Sequence, residues 1–210
     1  WVIVDDSDDE DVTLNQLKEL EKQDSRIRVY KTKHSGIIGA VKRDAAMLCR
    51  GEYLVELDHD DDLIHTALED IKNSFDRLGD RKEEVGMLVS YCSEVFEENL
   101  TSYHYGNIWG MGYGSYYKEF CFMFNKWLDV AVNPLLNATT MSHIVAVPNH
   151  VRVWTSKAYR DLNGHNKDLW VADDYDLIVR TFLKYRIATI PKLLYIQYRN
   201  SGSNNFTFIR

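Results

Sequence analysis

The fold class is decided by the stretch YLVELDHDDD at residues 53–62. Residues 53–57 form a short apolar run typical of a buried strand, and the acidic string that follows cannot continue such a strand. The stretch WVIVDDSDDED at residues 1–11 has the same order. Each acidic cluster therefore begins where a strand ends, and in a parallel sheet that edge is where ligands bind.

Helical patterns separate these two strands. Apolar spacing predicts a helix that begins at Thr13 and a second helix that opens at Ser35 and ends at Gly51. Between them, residues 27–30 read as a strand. The region before the acidic stretch 53–62 is therefore expected to consist of βα units.

A third helix is expected after the acidic stretch. Its predicted apolar face has 3-4-3 spacing and consists of Leu68, Ile71, Phe75 and Leu78. A strand at residues 85–91 follows. This alternation predicts an α/β fold with a mainly parallel central sheet flanked by helices.

The second half of the sequence is less regular. Residues 94–150 crowd aromatic residues and glycines without clear periodicity, so we interpret them as an irregular aromatic-rich insertion that ends in a return strand at 145–154. Later patterns predict a helix capped at Thr155 or Ser156, a helix that starts at Asp173, and closing strands. Neither an internal repeat nor a low-complexity linker occurs, so we expect a single domain over residues 1–210.

Composition excludes several classes of protein. Lys and Arg total 25 against 32 Asp and Glu, a net charge of -7, which is the wrong sign for coating nucleic acid or an anionic membrane. No run approaches the roughly 18 apolar residues of a membrane span. The three cysteines form no CxxC pair, so we expect a reducing, cytoplasmic location. Because both ends lie in apolar segments, we also expect a fragment of a longer chain.

The pair Asp58 and Asp60 is a candidate metal site. Two carboxylates spaced as Asp-x-Asp at the end of a strand offer hard oxygen ligands to Mg²⁺ or Mn²⁺ and leave coordination positions for a diphosphate. The competing interpretations are a solvated acidic loop and a calcium loop. For the calcium loop, Asp62 and Glu69 fit, but Leu63 stands where glycine is required.

Two further sets of charged residues are candidates for a site. Asp173 and Asp174 begin a helix, where capping explains one carboxylate and the other has the chemistry of a general base. Lys42 and Arg43 lie on the helix after Ser35, and arginine suits phosphate recognition through its forked guanidinium. The sequence contains no Walker, Gly-x-Ser-x-Gly or HExxH motif, so P-loop, serine hydrolase and zinc protease functions lack support.

Taken in order, these segments resemble one family, the family 2 glycosyltransferases of the GT-A fold. The resemblance is carried by the strand ending in Asp5-Asp6, the helix with Arg43, the Asp58-His59-Asp60-Asp61 motif, and Asp173-Asp174-Tyr175-Asp176-Leu177 with Arg180. It implies a Rossmann-like GT-A domain with a nucleotide-binding half at 1–93 and an acceptor-side half at 94–210. It also implies that Asp5 and Asp6 contact the nucleoside.

The resemblance assigns the remaining roles. Arg43 would lie near the nucleotide, and Asp58 and Asp60 would hold Mn²⁺ or Mg²⁺ on the diphosphate of a nucleotide sugar, with Asp58 also contacting the donor. Asp174 would be the catalytic base of an inverting transfer. The implied donor is a UDP-, GDP- or dTDP-sugar, and the implied acceptor is a hydroxyl of a glycan, a lipid-linked molecule or a protein.

The sequence departs from the family pattern at three places. The first strand and helix of the family, with its Pro-x-Tyr-Asn-like segment, have no counterpart here. Asp173 stands where the family usually has Glu, and no histidine follows Arg199, where many members carry one close to the metal. Two alternatives stay open: a nucleotidyltransferase on a similar sheet, and a non-catalytic domain that binds a glycan or a partner through the aromatic insertion.

Overall fold

The computed structural model describes residues 1–105, 115–143 and 147–199. Its strands are β1 (Val2–Asp5), β2 (Arg28–Lys31), β3 (Tyr53–Val55), β4 (Asp62–Leu63), β5 (Val85–Phe96), β6 (Tyr116–Cys121), β7 (Lys126–Ala131), β8 (Arg152–Thr155) and β9 (Arg186–Arg199). Its helices are α1 (Val12–Gln23), α2 (Ile38–Leu48), α3 (Ala67–Leu78), α4 (Ala138–His143), α5 (Ser156–Asp161) and α6 (Asp173–Lys184), with a 3-10 helix at Gly79–Glu84.

The chain forms two compact units. The first consists of Trp1–Leu54 and Thr155–Lys184, and the second consists of the described residues of Val55–Trp154 and Tyr185–Arg210. Both units are therefore built from two separate stretches of chain. The interpretation of residues 1–210 as a single domain stays a prediction.

In the first unit, β1 and β2 form a parallel pair joined by α1. Their register runs from Val2 opposite Arg28 to Asp5 opposite Lys31. The carboxylate of Asp9 accepts a hydrogen bond of 2.9 Å from the backbone N–H of Thr13, which satisfies one of the free donors at the start of α1. This β1–α1–β2 arrangement confirms the expected βα unit.

Helix α2 approaches the start of α6 closely in the same unit. A Cβ added to Gly39 would lie 2.7 Å from Cβ of Asp173 and 3.0 Å from the carbonyl oxygen of Asn166. Only glycine fits this contact without displacing its neighbours. Helix α5 begins as predicted, because Oγ1 of Thr155 accepts a hydrogen bond of 3.2 Å from the N–H of Ala158.

In the second unit, the long strand β5 is the centre of the sheet. It pairs in parallel with β9 over nearly its whole length, and antiparallel with β8 near Leu88 and with β7 at Cys92. Strand β7 continues to β6, and β4 pairs with β9. Most residues of β5 are buried, as expected for a strand covered on both faces.

The expectation of a mainly parallel central sheet is not confirmed. Among the described pairings of the second unit, only β5 with β9 is parallel, and the others are antiparallel. The length of the link between strands explains the difference. A tight turn joins β6 and β7 and reverses the chain direction, whereas parallel neighbours need a longer crossover. The coarser prediction, a mixed α/β fold, is correct.

Helix α3 packs on a slightly different face from the one predicted. Ala67, Ile71 and Phe75 are buried, whereas Leu68 is 62% exposed. The predicted assignment of Leu68 to the apolar face is therefore wrong, because Ala67, four residues before Ile71, occupies the buried position of the first turn.

The aromatic region contains ordinary secondary structure. Part of it forms the β6–β7 hairpin, in which Phe120 lies opposite Trp127. Phe122 and Trp127 are 80% and 61% exposed. Of the residues assigned to the irregular insertion, 106–114 lie outside the described residues, and so do 144–146 of the predicted return strand. No helix in the described part of the chain has the length and apolar character needed to cross a membrane.

Candidate functional site: a carboxylate and imidazole cluster

The acidic loop after β3 belongs to the second unit from Val55 onward. The backbone N–H of Glu56 donates a hydrogen bond of 3.0 Å to the carbonyl of Arg152 in β8, so the chain stays extended beyond the end of β3. In extended chain, side chains two residues apart point to the same face. Glu56 and Asp58 are therefore presented together, beside the segment that leads into β8.

His150 joins these two carboxylates. Ligand atoms of Glu56, Asp58 and His150 all lie within 4.8 Å of one another. Nε2 of His150 is 3.6 Å from Oε1 of Glu56 and 3.8 Å from Oδ2 of Asp58. We call these three residues the Glu56–Asp58–His150 cluster. The imidazole is buried, and Glu56 is as deeply buried as the histidine, so the cluster is largely withdrawn from water.

Tyr195 of β9 organises the cluster from one side. Its hydroxyl donates a hydrogen bond of 2.7 Å to Oδ2 of Asp61 and accepts one of 3.2 Å from the backbone N–H of Asp58. Its ring stacks on the imidazole of His150, with centroids 4.7 Å apart and planes inclined by 18°. One fully buried side chain thus contacts both the loop and the histidine.

The two carboxylates after Asp60 are held by tyrosines of β9. Burial raises the pKa of Asp61 to about 6, although hydrogen bonds from the Tyr195 hydroxyl and from the N–H of Tyr198 act in the opposite direction. The hydroxyl of Tyr198 donates to Oδ2 of Asp62 over 2.8 Å. Asp60 differs from both, since about half of its side chain is exposed (52%).

In the first unit, Asp5 is buried at the end of β1. Its carboxylate accepts hydrogen bonds from the N–H and hydroxyl of Ser7, at 2.9 and 2.6 Å, and from Nζ of Lys31 at 3.0 Å. Burial alone would raise the pKa of Asp5, but these bonds and the Lys31 charge outweigh it and leave the pKa below its ordinary value.

Asp6 binds the backbone of the segment that leads into α2. Its carboxylate oxygens accept hydrogen bonds from the backbone N–H groups of Ser35, at 2.9 Å, and Gly36, at 3.2 Å. Arg43, farther along α2, donates a hydrogen bond of 2.7 Å to Oδ1 of Asn163. The guanidinium is therefore partly oriented by the chain segment that precedes α6.

Asp174 is half-buried in the first turn of α6. Its Oδ1 accepts a hydrogen bond of 2.7 Å from the N–H of Tyr175, and the free N–H groups of a helix start favour a carboxylate there. The neighbouring Asp173 is buried, 3.9 Å from Nε2 of His165. Through Asp6 and the Gly39 contact, the end of β1, the start of α2 and the start of α6 are neighbours within the first unit.

The sequence-predicted residues thus divide between the two units. Asp5, Asp6, Arg43 and Asp174 belong to the first, and Asp58 and Asp60 belong to the second. The sequence analysis does not identify His150, because this residue lies inside the predicted return strand at 145–154 and has no ligand-like spacing to another residue. Glu56 lies in the predicted strand at 53–57 and Tyr195 in a predicted closing strand, so neither pattern marks them as site residues.

The mixed α/β fold, with acidic clusters after its first and third strands, resembles the GT-A fold. Residues 1–130 match the model of the family "Glycosyl transferase family 2", and the chain belongs to this family. The chain is similar to a chondroitin synthase of Escherichia coli, with 29% identity over 178 residues, which cover 85% of this chain and 21% of that protein.

Solved structures of S. aureus TarS share the fold. TarS 1-349 in complex with UDP superposes with a TM-score of 0.64 at 17% identity, over 94% of this chain and 50% of the TarS chain. A second structure of TarS 1-349 superposes with a TM-score of 0.63 at 20% identity, with the same coverage. The present chain therefore spans about half of the TarS chain and about a fifth of the chondroitin synthase.

Proposed function

We propose that the chain is the catalytic domain of an inverting glycosyltransferase, which moves a sugar from a nucleotide-sugar donor to an acceptor hydroxyl. The observation that carries the proposal is the Glu56–Asp58–His150 cluster at the acidic loop after β3, in a chain that belongs to glycosyltransferase family 2. The acceptor class is a glycan, and lipid-linked and protein acceptors are the alternatives.

The donor is proposed to be a UDP-sugar, with GDP- and dTDP-sugars as alternatives. Support comes from TarS, which shares the fold and whose structure contains UDP. Asp5 and Asp6 would position the nucleoside, since both carboxylates are already oriented by hydrogen bonds at the end of β1. Arg43 would face the phosphates, where a guanidinium forms paired hydrogen bonds with phosphate oxygens.

The reaction is proposed to need a divalent cation held at Asp58, with Asp60 as the second residue of the Asp-x-Asp pair. Support comes from the surroundings of Asp58: its ligand atoms lie within 4.8 Å of those of Glu56 and His150, and the buried imidazole nitrogen faces the two carboxylates. When bound, Mn²⁺ or Mg²⁺ would offset the charge that develops on the leaving diphosphate.

Asp174 is proposed to be the general base. In the transfer, the acceptor oxygen forms a bond to the anomeric carbon while the bond from that carbon to the diphosphate breaks. The hydroxyl proton passes to the Asp174 carboxylate, which is half-buried and oriented by the first turn of α6. Attack opposite to the leaving group inverts the configuration at the anomeric carbon.

Product analysis tests the proposal. The chain is incubated with Mn²⁺, a UDP-, GDP- or dTDP-sugar, and a panel of oligosaccharides that includes a chondroitin tetrasaccharide. Release of nucleoside diphosphate together with an extended oligosaccharide supports glycosyl transfer. Release of pyrophosphate from a nucleoside triphosphate and a sugar phosphate would instead identify a nucleotidyltransferase. Donor or glycan binding without any product would identify a non-catalytic domain.

A further inference from the structure

We infer that His165 is a positioning residue: it holds Asp173 at the start of α6 and thereby sets the orientation of Asp174, the proposed general base. The inference rests on the proposed function for the role of Asp174. It assigns a task to Tyr159 and His165, for which the proposed mechanism has none. All four residues belong to the first unit.

Three polar side chains meet in the interior of the first unit, beside the start of α6. Tyr159 of α5, His165 and Asp173 are 1%, 2% and 7% exposed. The Tyr159 hydroxyl lies 2.8 Å from Nδ1 of His165, and Nε2 of the same imidazole lies 3.9 Å from Oδ2 of Asp173. The imidazole therefore lies between a hydroxyl and a carboxylate, in a region that is largely closed to water.

The hydrogen bonds of Tyr159 decide which imidazole nitrogen carries the proton. The hydroxyl accepts a hydrogen bond of 3.4 Å from the backbone N–H of His165, so its own hydrogen is available to Nδ1. A neutral imidazole has one donor and one acceptor nitrogen, and an accepting Nδ1 leaves the hydrogen on Nε2. That hydrogen faces the Asp173 carboxylate, whereas a bare Nε2 would turn a lone pair to a buried negative charge. We therefore assign the Nε2–H form to His165.

The contact between His165 and Asp173 is electrostatic. A separation of 3.9 Å is too long for a hydrogen bond, but an N–H dipole still attracts a carboxylate, and little solvent screens the attraction in the interior. Asp173 has a second fixed neighbour in Gly39 of α2, where an added Cβ would lie 2.7 Å from the Cβ of Asp173. The Asp173 side chain is thus confined by the imidazole and by α2.

The turn that precedes His165 is attached to both helices around it. Gly164 has a φ of +62°, and a Cβ at this position would lie 2.5 Å from Cε1 of Tyr159, so only glycine lets the tyrosine ring pack against the turn. The carbonyl of Gly164 accepts a hydrogen bond of 2.8 Å from Nη2 of Arg180 on α6. Because α5 and α6 both contact this turn, it presents the imidazole to the start of α6 in one orientation.

The orientation of Asp174 depends on that of Asp173, because the two residues are adjacent in the first turn of α6. Oδ1 of Asp174 accepts a hydrogen bond of 2.7 Å from the N–H of Tyr175. The first turn of a helix frays readily, since its N–H groups have no partners within the helix. By fixing Asp173, His165 keeps this turn closed and the Asp174 carboxylate in place. A reacting group that is misplaced by about 1 Å can slow a reaction about a hundredfold.

Two substitutions of His165 distinguish its two nitrogens. The side-chain amide of glutamine reaches the position of Nε2, so His165→Gln keeps a donor that faces Asp173. Asparagine is one methylene shorter and its amide reaches only the position of Nδ1, so His165→Asn keeps a partner for Tyr159 and loses that donor. Both variants replace the ring with an amide, and each is therefore the matched control of the other.

NMR of the 210-residue chain provides readouts that need no substrate. At about pH 8, where histidines are normally neutral, ¹⁵N spectra of the wild-type imidazole should show Nε2 protonated and Nδ1 bare. Hydrogen exchange of the Tyr175 amide should be about tenfold faster in His165→Asn than in the wild type, and within about twofold of the wild type in His165→Gln. Urea denaturation of both variants distinguishes this local opening from a global loss of stability.

Steady-state kinetics with the donor and acceptor found by product analysis provide a further readout. His165→Asn should lower kcat about tenfold with little change in the KM for the donor, because a misplaced base slows the chemical step and leaves donor binding intact. His165→Gln should keep kcat within about threefold of the wild type. A residue needed for folding alone would lower the stability of both variants without this difference in kcat.

Three results would overturn the inference: a bare Nε2 in the wild type, equal exchange of Tyr175 in the two variants, or wild-type kcat in His165→Asn. The wild-type imidazole spectrum decides the first even if a variant fails to fold. The outcome is separable from that of the proposed function. The expected spectrum and exchange in a chain that transfers no sugar would keep the positioning of Asp174 and reject the function. Sugar transfer with equal kcat in the two variants would do the reverse.

Discussion

The hydroxyl of Tyr195 donates a hydrogen bond of 2.7 Å to the carboxylate of Asp61, in the interior of the second unit. This bond ties β9 to the acidic loop, and the same oxygen also accepts the N–H of Asp58. Strand β9 runs in parallel with β5 through the centre of the sheet. The acidic loop is therefore attached to the central strands of the second unit, although its sequence is that of a solvated loop.

Tyr195→Phe tests this attachment. The substitution keeps the ring that stacks on His150 and removes only the hydroxyl, so a buried carboxylate loses a donor and a buried N–H loses an acceptor. We expect a loss of about 1–3 kcal/mol in the free energy of unfolding, measured by urea denaturation. Mn²⁺ affinity should fall as well, because Asp58 is no longer positioned.

Tyr198→Phe is the matched control for this prediction. The Tyr198 hydroxyl donates to Asp62 at an exposed position, so its removal should cost about 1 kcal/mol or less. Equal losses for the two variants would show that the Tyr195 hydroxyl has no special role in holding the loop.

A buried ion pair elsewhere in the second unit provides a separate prediction. Glu94 and Arg199 are both buried and form a salt bridge, and the guanidinium also lies 3.9 Å above the ring of Tyr103. Glu94→Gln is expected to lower the free energy of unfolding by about 3–5 kcal/mol, because it leaves an unpaired charge in the interior.

The double variant Glu94→Gln with Arg199→Met distinguishes this cause from a loss of packing. Removing both charges should recover part of the stability lost in Glu94→Gln, measured in the same urea denaturation. The contradicting result is additivity: the double variant would be less stable than Glu94→Gln by as much as Arg199→Met alone destabilises the wild type.

Local patterns predict much of this structure, and the reason is physical. Helices α1, α2 and α6 follow from apolar spacing, and the start of α5 follows from its capping residue Thr155; both signals act over a few residues. The position of the acidic residues at the ends of β1 and β3 is predictable for the same local reason, because a charged run cannot continue a buried strand.

The pairing of strands that are distant in the chain could not be predicted from the sequence. His150 approaches Asp58 because the chain that leaves β3 hydrogen-bonds to β8 through Glu56 and Arg152, and Tyr195 reaches Asp61 because β9 pairs with β4. Strand register of this kind depends on contacts between distant residues, for which a single sequence has no periodic signal. Of the Glu56–Asp58–His150 cluster, the sequence therefore identifies one residue as a site candidate, Asp58, and not the other two.

Gly39→Ala is expected to destabilise the first unit, although alanine is normally the better helix former by about 1 kcal/mol. The added Cβ would lie 2.7 Å from Cβ of Asp173, and neither helix backbone can retreat easily. We expect a net loss of about 1–3 kcal/mol in the free energy of unfolding. Asp44→Ala, on the exposed face of α2, reports helix propensity alone and should be neutral or stabilising. A stabilised Gly39→Ala would show that α2 does not pack tightly on α6.

The lowered pKa of Asp5 predicts how stability depends on pH. A carboxyl group with a folded pKa below its unfolded value of about 3.9 stabilises the protein above that value and loses this contribution as the pH falls through the folded pKa. Asp5→Asn should therefore reduce stability at pH 7 and reduce the loss of stability between about pH 5 and pH 3. Urea denaturation across this range measures both effects, and Asp8→Asn removes the same charge from an exposed position of the same loop. An unchanged acid dependence in Asp5→Asn would disprove the role assigned to Lys31 and Ser7.

Asp174 and Asp173 are adjacent, and their different environments predict different consequences of substitution. Asp174→Asn should lower kcat by at least about a hundredfold, as expected for loss of a general base, while the KM for the donor changes little. Asp173 is buried beside His165 and against Gly39, so Asp173→Asn should lower the free energy of unfolding more than Asp174→Asn does. Steady-state kinetics with the donor and acceptor found by product analysis, and urea denaturation of both variants, check the two halves of this prediction. If Asp174→Asn retained wild-type kcat, the base would have to be another residue, and the helix start would owe its two carboxylates to capping and burial alone.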